Sequence, residues 1–298
     1  MTARPPAILL GINGFLIAGM VAFNLAVPAP ARIRPSSSAA ARLGTVAGQV
    51  EVRRSAQSEV WTPARPGDEL QEGDEVRTGL FSEALLHLRG QSTVLVAAGS
   101  SFVVGRDQVE RASFELGLGQ VTAAIAPTGE RRFEFRSRGS DAVASAREGE
   151  FSLVTDGRGM VVLDSRAGDI ELSAAGQTTT VPKGKRSVVS PSRPPGKLMP
   201  VPSSLALQVK WPPAKMDRKV TTVSGKAAPG ATLLVNGVLA RADPEGVFTV
   251  DVALEEGSNR VVISATDLAG NTASAESPEI EVDTRPPGIR VNAEGLWK

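Results

Sequence analysis

WTPARPGDELQEGDEVRTGLFSEALLHLRGQSTVLVAAGSSF, which runs from Trp61 to Phe102, decides the fold class of this chain. Gly-Asp pairs beginning at Gly67 and Gly73 interrupt short runs in which apolar and polar residues alternate. Alternation with a period of two is typical of half-buried strands, and turn residues between such runs indicate tight connections. The stretch has almost no helical period, so it predicts an all-β domain.

The two Gly-Asp breaks fit β-turn chemistry. In Arg65-Pro66-Gly67-Asp68 proline presets φ at the second position and glycine is free to take a positive φ at the third. The same kind of break recurs after one short strand, at Glu72-Gly73-Asp74. A second interpretation is a Ca²⁺ site, because five carboxylates crowd this region: Asp68, Glu69, Glu72, Asp74 and Glu75. The spacing of an EF-hand loop is missing, so we assign no metal and no cofactor here.

At these residues the chain resembles the FecR family domain. The matching features are a Trp-x-Pro opening, a Pro-Gly-Asp, Gly-Asp-x-Val-Arg-Thr-Gly and a Ser-x-Ala-x-Leu-x-Leu strand. The resemblance implies a FecR-like β-domain over 43–190, either two-sheet or irregular and solenoid-like, and it implies no catalytic activity. The family-motif residues are expected to be structural, with Trp61 in the core: Trp61, Pro66, Gly67, Asp68, Gly73, Asp74, Val76, Arg77, Thr78 and Gly79.

The N-terminal part predicts export. Residues 7–27 carry no charge, and as a helix they would span about 31 Å, which is close to the hydrocarbon thickness of a bilayer. We expect one transmembrane helix there, with 1–6 as a short cytoplasmic tail and 28–42 as a flexible tether. A cleavable signal is the alternative, because Ala29-Pro30-Ala31 has the form of a cleavage site. The arginines after the span oppose the positive-inside rule, and we still prefer the orientation with the N-terminus inside.

These segments predict a single-pass protein of the cell inner membrane with its bulk in the periplasm, or a secreted protein if the N-terminal segment is cleaved. FecR family members often regulate extracytoplasmic-function sigma factors through a cytoplasmic region. Here only Met1 to Pro6 precede the apolar span. We therefore expect sensing or docking and not direct sigma-factor regulation.

The C-terminal third predicts a second β-unit. Residues 191–217 contain several prolines and are expected to form a stiff linker. Between 218 and 284, turn signals recur at about ten-residue spacing between alternating strands, the pattern of a small β-sandwich. This part resembles a bacterial Ig-like domain of the glucodextranase B type. Residues 285–298 are expected to be a C-terminal tail.

Composition excludes several function classes. The chain has 298 residues, no cysteine, no tyrosine and one histidine, and its formal net charge is +1. Disulfides, thiolate metal sites and a cysteine nucleophile are therefore excluded, and the charge balance does not suggest a nucleic-acid partner. The histidine, His87, falls at a solvent-side position of a strand, and no nucleophile elbow accompanies it. We expect no enzyme activity.

The leading prediction is a membrane-anchored, non-enzymatic envelope protein that acts as a binding, scaffold or signal-sensing module. Its partners would be envelope proteins or a cell-wall polymer, and strand addition at an exposed sheet edge is one mode of contact. The alternative is an accessory polysaccharide- or peptidoglycan-binding protein, and a hydrolase would need a cleft with converging carboxylates. Two tryptophans are candidate contact surfaces, Trp211 between prolines and Trp297 near the C-terminus.

Overall fold

The computed structural model describes residues 39–55 and 58–285. These residues form twenty-seven strands and one 3₁₀ turn, Arg89–Gln91, and they include no α-helix. The predicted all-β class is therefore confirmed for the described part of the chain. Within 39–55 and 58–285, no helix has the length and apolar character needed to cross a bilayer. The predicted span 7–27 and Trp297 lie outside the described residues.

The first seventeen strands form the N-terminal sandwich. They are β1 (Ala41–Ala47), β2 (Val50–Arg53), β3 (Trp61–Pro63), β4 (Glu69–Leu70), β5 (Glu75–Thr78), β6 (Glu83–Leu88), β7 (Thr93–Val96), β8 (Ser101–Asp107), β9 (Arg111–Ile125), β10 (Arg132–Ser137), β11 (Val143–Ala146), β12 (Gly149–Thr155), β13 (Val161–Ala167), β14 (Ile170–Ala174), β15 (Gln177–Val181), β16 (Lys185–Val189) and β17 (Met199–Pro200).

These strands lie in two layers that share one long strand. Sheet A has the order β4-β1-β6-β7-β9-β12-β13-β16-β17, and sheet B has the order β3-β2-β5-β8-β9-β10-β11-β14-β15. Strand β9 pairs in sheet B through its first half and in sheet A through its second half. Because the chain alternates between layers as it advances, the arrangement combines two sheets with a solenoid-like progression.

The core of the N-terminal sandwich lies between the two sheets. Four phenylalanines form its centre, with Phe114 and Phe135 stacked at 5.3 Å between ring centroids and Phe151 edge-on to Phe135 at 5.2 Å. Phe102 stacks on Phe114 at 5.6 Å. Such aromatic pairs stabilise a core by about 0.5–1.5 kcal/mol each beyond the area that they bury.

The remaining ten strands form the C-terminal sandwich. They are β18 (Gln208–Lys210), β19 (Lys215–Met216), β20 (Val220–Lys226), β21 (Thr232–Val235), β22 (Val238–Arg241), β23 (Val247–Ala253), β24 (Gly257–Asn259), β25 (Val262–Thr266), β26 (Thr272–Glu276) and β27 (Ile280–Val282). They pair in the orders β18-β20-β23, β19-β27-β24 and β22-β21-β25-β26 around a second apolar core.

Two predicted connecting segments contain regular structure. Strand β1 begins at Ala41, inside the predicted tether 28–42, and the Ala40 N–H donates to the Leu70 carbonyl at 3.0 Å. The predicted linker 191–217 contributes β17, β18 and β19. Its backbone therefore pairs with both sandwiches and does not form a free spacer.

Candidate interaction surfaces

Two turns of the motif have the same hydrogen-bond pattern. In each turn the N–H of the fourth residue donates to the carbonyl of the first, from Asp68 to Arg65 and from Asp74 to Gln71, both at 3.1 Å. In each, the aspartate carboxylate also accepts the N–H of the first residue, at 2.9 Å for Asp68 and 3.0 Å for Asp74. The glycine before each aspartate has a φ near +90°, which favours glycine. The turn chemistry predicted for this stretch is confirmed.

The Asp74 carboxylate also contacts a second segment of the chain, Arg54 and Ser55. It accepts the Ser55 N–H at 3.0 Å and lies 2.9 Å from the Arg54 Nη1. Two residues on, Val76 is fully buried, and the Thr78 hydroxyl accepts the Ser100 N–H at 3.0 Å. These contacts place Asp68, Asp74 and Thr78 in turns and strand pairing, so this part of the motif builds the fold.

Trp61 is not in the core, and the prediction that it would be is wrong. It lies on the short edge strand β3, is half-buried and belongs to neither apolar core. The guanidinium carbons of Arg77 and Arg53 lie 4.0 Å and 5.1 Å from its ring centroid. The three-residue strand sits at a sheet edge, where no second layer covers the ring, and cationic side chains take the contacts instead.

The outer face of sheet B carries alternating arginines and glutamates. The Arg77 Nε lies 2.7 Å from the Glu51 Oε2, and Arg53 pairs with the buried carboxylate of Glu75. Further pairs continue along the face: Arg138 with Glu115, Arg111 with Glu134, and Arg132 with Glu171. Because each of these arginines has a carboxylate neighbour, this face has mixed charge and offers no uniform basic patch.

Of two concavities on the described part of the N-terminal sandwich, the one of about 350 Å³ has a charged lining. Its charged lining consists of three basic and three acidic residues: Arg132, Arg147, Lys183, Glu148, Asp169 and Glu171. No aromatic side chain lines it. The balance of charge gives it no preference for an anion or a cation.

The N-terminal and C-terminal sandwiches meet at a buried apolar joint. Val154, Met160 and Val162 of the N-terminal sandwich form a cluster with Leu268 of the C-terminal sandwich, and all four are fully buried. Val154 and Val162 lie on the outer face of sheet A, opposite the core. We call this cluster, with its surrounding contacts, the joint.

Polar contacts and one close approach complete the joint. The Arg166 Nη2 donates to the Leu268 carbonyl at 2.9 Å, and the Asn271 amide donates to the Pro202 carbonyl at 2.9 Å. At Gly230 a Cβ would lie 2.6 Å from the Val154 Cγ1, so glycine lets the backbone of the C-terminal sandwich approach this valine side chain closely.

A buried ion pair lies on the same face of sheet A as the joint. The Arg186 Nε and Nη2 donate to the two carboxylate oxygens of Asp164 at 2.6 Å and 2.7 Å, and both residues are at most 2% exposed. Nearby, burial lowers the pKa of Arg241 to about 10, while the charge of Asp156 in the N-terminal sandwich acts to raise it. The covered part of sheet A is thus polar as well as apolar.

The other singled-out residues have ordinary structural roles. Trp211 is half-buried and packs against the second core, so it does not form an open platform. His87 is exposed, as expected for a solvent-side strand position. In the C-terminal sandwich, the Asp267 carboxylate accepts the Asn271 N–H at 2.9 Å, and Asp243 accepts the Val247 N–H at 2.7 Å. In 39–55 and 58–285, no group of three or more His, Asp or Glu residues is placed to hold a metal ion.

The sequence reasoning missed the joint. Its signal is present in β12 and β13, where all five residues from Phe151 to Thr155 and from Val161 to Ser165 are buried. Strands buried on both faces read as continuous and not alternating apolar runs. Val161-Val162-Leu163 is such a run, and it marks a sheet face that another element covers.

No family model matches the chain, and no curated protein matches it. Among solved structures it is similar to a candidate anti-sigma factor from Parabacteroides distasonis, in two crystal structures at 14% and 13% identity with a TM-score of 0.37. Each likeness covers 42% of this chain and 57% of that one. The chain also has low similarity to a polysaccharide lyase, at 12% identity and a TM-score of 0.20, over 82% of this chain and 40% of that one. These TM-scores are too low to carry an argument about function.

Proposed function

We propose that this chain is a non-enzymatic module of the cell envelope that works by contact, as a binding or scaffold unit exposed outside the cytoplasm. In this proposal residues 7–27 anchor it in the inner membrane, and the two sandwiches face the periplasm. A signal-sensing role, in which a bound partner is detected, is the finer form of the same proposal.

The joint is the observation that supports this proposal best. A spacer that only separated two domains would leave Val154, Met160 and Val162 in water, whereas here Leu268 buries them. Burial of a full aliphatic side chain stabilises by about 1.5–3 kcal/mol, so the two sandwiches gain by holding one arrangement. A scaffold must present its surfaces in a fixed geometry, and this contact supplies one.

Binding to a polysaccharide is less well supported. Carbohydrate platforms expose a flat aromatic ring, whereas Trp61 contacts two guanidinium groups and Trp211 packs against the second core. The surfaces of the N-terminal sandwich instead offer paired charges and strand edges. Such surfaces suit a protein partner, through complementary charge and main-chain hydrogen bonds.

Two parallel binding experiments separate these functions. The purified full chain is sedimented with bare cell-wall sacculi, and in parallel it is used as bait in a solubilised envelope extract. We expect it to stay in the supernatant with sacculi and to retain a defined protein from the extract. Retention on bare sacculi, with no protein retained from the extract, would overturn the proposal in favour of the polymer.

A further inference from the structure

Strand β15 forms an open edge of sheet B. Among the described strands it pairs only with β14, through a hairpin whose turn is Ala175-Gly176 with φ values of 47° and 71°. Two positive φ values are typical of a type I′ turn, in which the residues flanking the turn form a hydrogen-bonded pair. That pair is Ala174 and Gln177.

The alternation along an antiparallel ladder then fixes which groups point outward. Gln177, Thr179 and Val181 direct their N–H and carbonyl groups toward β14, so Thr178 and Thr180 direct theirs to the free edge. In the described part of the chain, no backbone group contacts these outward donors and acceptors. The edge thus presents two donors and two acceptors in a regular strand.

Strand β15 lacks the features that keep the other edge strands from pairing with another chain. Natural edge strands are kept from pairing by shortness, charged residues or proline. The described edges β3, β4, β17, β18, β19 and β24 have three residues or fewer, and β22, β23 and β26 carry Arg241, Asp251 and Glu276. Strand β15 has five residues, QTTTV, with no charge, no proline and no break in register.

We propose that β15 pairs antiparallel with β15 of a second copy of this chain, which joins two B sheets across a two-fold axis. With Thr179 on the axis, Thr178 of each copy faces Thr180 of the other. Both outward residues then form hydrogen-bonded pairs, for four main-chain hydrogen bonds in total. A shift centred on Thr178 or Thr180 would use fewer of these groups, so the geometry selects this register.

The side chains on and around this edge suit a second copy. Across the axis threonines face threonines and Gln177 faces Val181, so no like charges meet. Cross-strand threonine pairs stabilise a sheet.

The absence of cysteine in the native chain makes a direct test simple. Thr179→Cys places a single thiol on the axis, opposite its own copy in a non-hydrogen-bonded pair with Cα atoms about 4.5 Å apart, within disulfide reach. Ser274→Cys, on the charged edge strand β26, is the matched control. Ser274 is exposed, whereas Thr179 is half-buried, so random collisions between molecules would cross-link the Ser274→Cys control faster. We expect Thr179→Cys in the full chain to form disulfide-linked dimers at least about tenfold faster, a difference of about 1.4 kcal/mol in barrier.

A second variant shows whether the edge itself is responsible. The Thr178 N–H points outward, so Thr178→Pro removes an edge donor and leaves the ladder with β14 intact. We expect Thr178→Pro to lower the Thr179→Cys rate to that of the control while the melting temperature stays near that of the parent. Three results would each overturn the proposal. Thr179→Cys and Ser274→Cys could form dimers at equal rates, or Thr178→Pro could leave the Thr179→Cys rate unchanged. The third is that Thr179→Cys forms a disulfide with a different protein and not with a second copy.

Discussion

At the scale of single residues, Asp74 joins two segments of backbone through one buried carboxylate. It accepts the N–H groups of Gln71 and Ser55 and pairs with Arg54, and it is only 5% exposed. Asp68 makes the equivalent turn contact to Arg65 at a more exposed position. The two aspartates look alike in sequence, and burial separates their roles.

We therefore expect Asp74→Ala to cost about 2–3 kcal/mol of unfolding free energy, because two backbone N–H groups and Arg54 lose a buried, charged acceptor. The matched variant Asp68→Ala should cost about 0.5–1 kcal/mol, because water can replace the carboxylate at a half-exposed turn. Urea denaturation of both variants measures the difference. Equal losses would show that the motif aspartates are interchangeable.

The buried pair of Asp164 and Arg186 gives a second prediction at this scale. Arg186→Met leaves a fully buried carboxylate without its partner, which we expect to cost about 3–5 kcal/mol. The double variant Asp164→Val with Arg186→Met buries only apolar groups and should recover most of that loss. Denaturation midpoints of both proteins give the comparison. A double variant as unstable as the single one would mean that the pair contributes more than its charges.

Residue identities alone fixed some of these roles and not others. The turn positions of Gly67 and Gly73 follow from local chemistry, because only glycine takes their positive φ cheaply. The position of Trp61 does not follow, because a large apolar ring is usually buried and only the edge location of β3 leaves it beside Arg77. Local rules predict turns, whereas burial depends on which element lies across the sheet.

At the scale of elements, the turn 267–271 links the two sandwiches. Leu268 at its tip is fully buried against Val154, Met160 and Val162. The Asp267 carboxylate, also fully buried, accepts the Asn271 N–H and side-chain amide, each at 2.9 Å, and shapes the turn that presents Leu268. The sequence predicted a turn here, but only the structure shows that this turn packs against the N-terminal sandwich.

Leu268→Ala should weaken this link more than it weakens either sandwich. Large-to-small changes at fully buried positions cost about 2–5 kcal/mol. We expect calorimetry to show one coupled unfolding transition for the parent and two separated transitions for the variant. Val262→Ala, at a half-exposed position of the C-terminal sandwich, is the control and should keep the parent profile. Unchanged coupling in Leu268→Ala would contradict the role assigned to the joint.

Arg241 allows a test of charge beside the joint. Its pKa is lowered to about 10, with desolvation as the main cause, so this partly buried cation costs stability wherever the residue is protonated in both states. The unfolded chain holds this proton more tightly, and stability should therefore rise as pH increases from about 10 toward the usual arginine pKa.

At neutral pH the same cost predicts that Arg241→Met is neutral or stabilising, by about 1 kcal/mol. The exposed Arg260, which pairs with Glu276 at 2.8 Å, provides the comparison, and Arg260→Met should leave stability nearly unchanged. Thermal unfolding at neutral pH measures both variants. A clear loss of stability in Arg241→Met would mean that attraction to Asp156 outweighs the cost of burial.

At the scale of the whole molecule, the sequence predicted strands better than it predicted how they assemble. Val76, Leu86 and Val94 belong to the alternating runs of the stretch that predicted an all-β domain, and all three are fully buried. The segment 191–217 looked like a spacer because prolines interrupt it, yet it donates strands to both sandwiches. Composition describes what a segment can do alone, and long-range pairing decides what it does in the fold.

The central claim is that these two sandwiches work by contact outside the cytoplasm, and protease accessibility tests it most directly. Spheroplasts that express the full chain with a C-terminal epitope are treated with protease before and after lysis of the inner membrane. We predict that the epitope is lost in intact spheroplasts, while a cytoplasmic marker protein survives until lysis. Protection of the epitope until the inner membrane is broken would place the sandwiches in the cytoplasm and contradict the account.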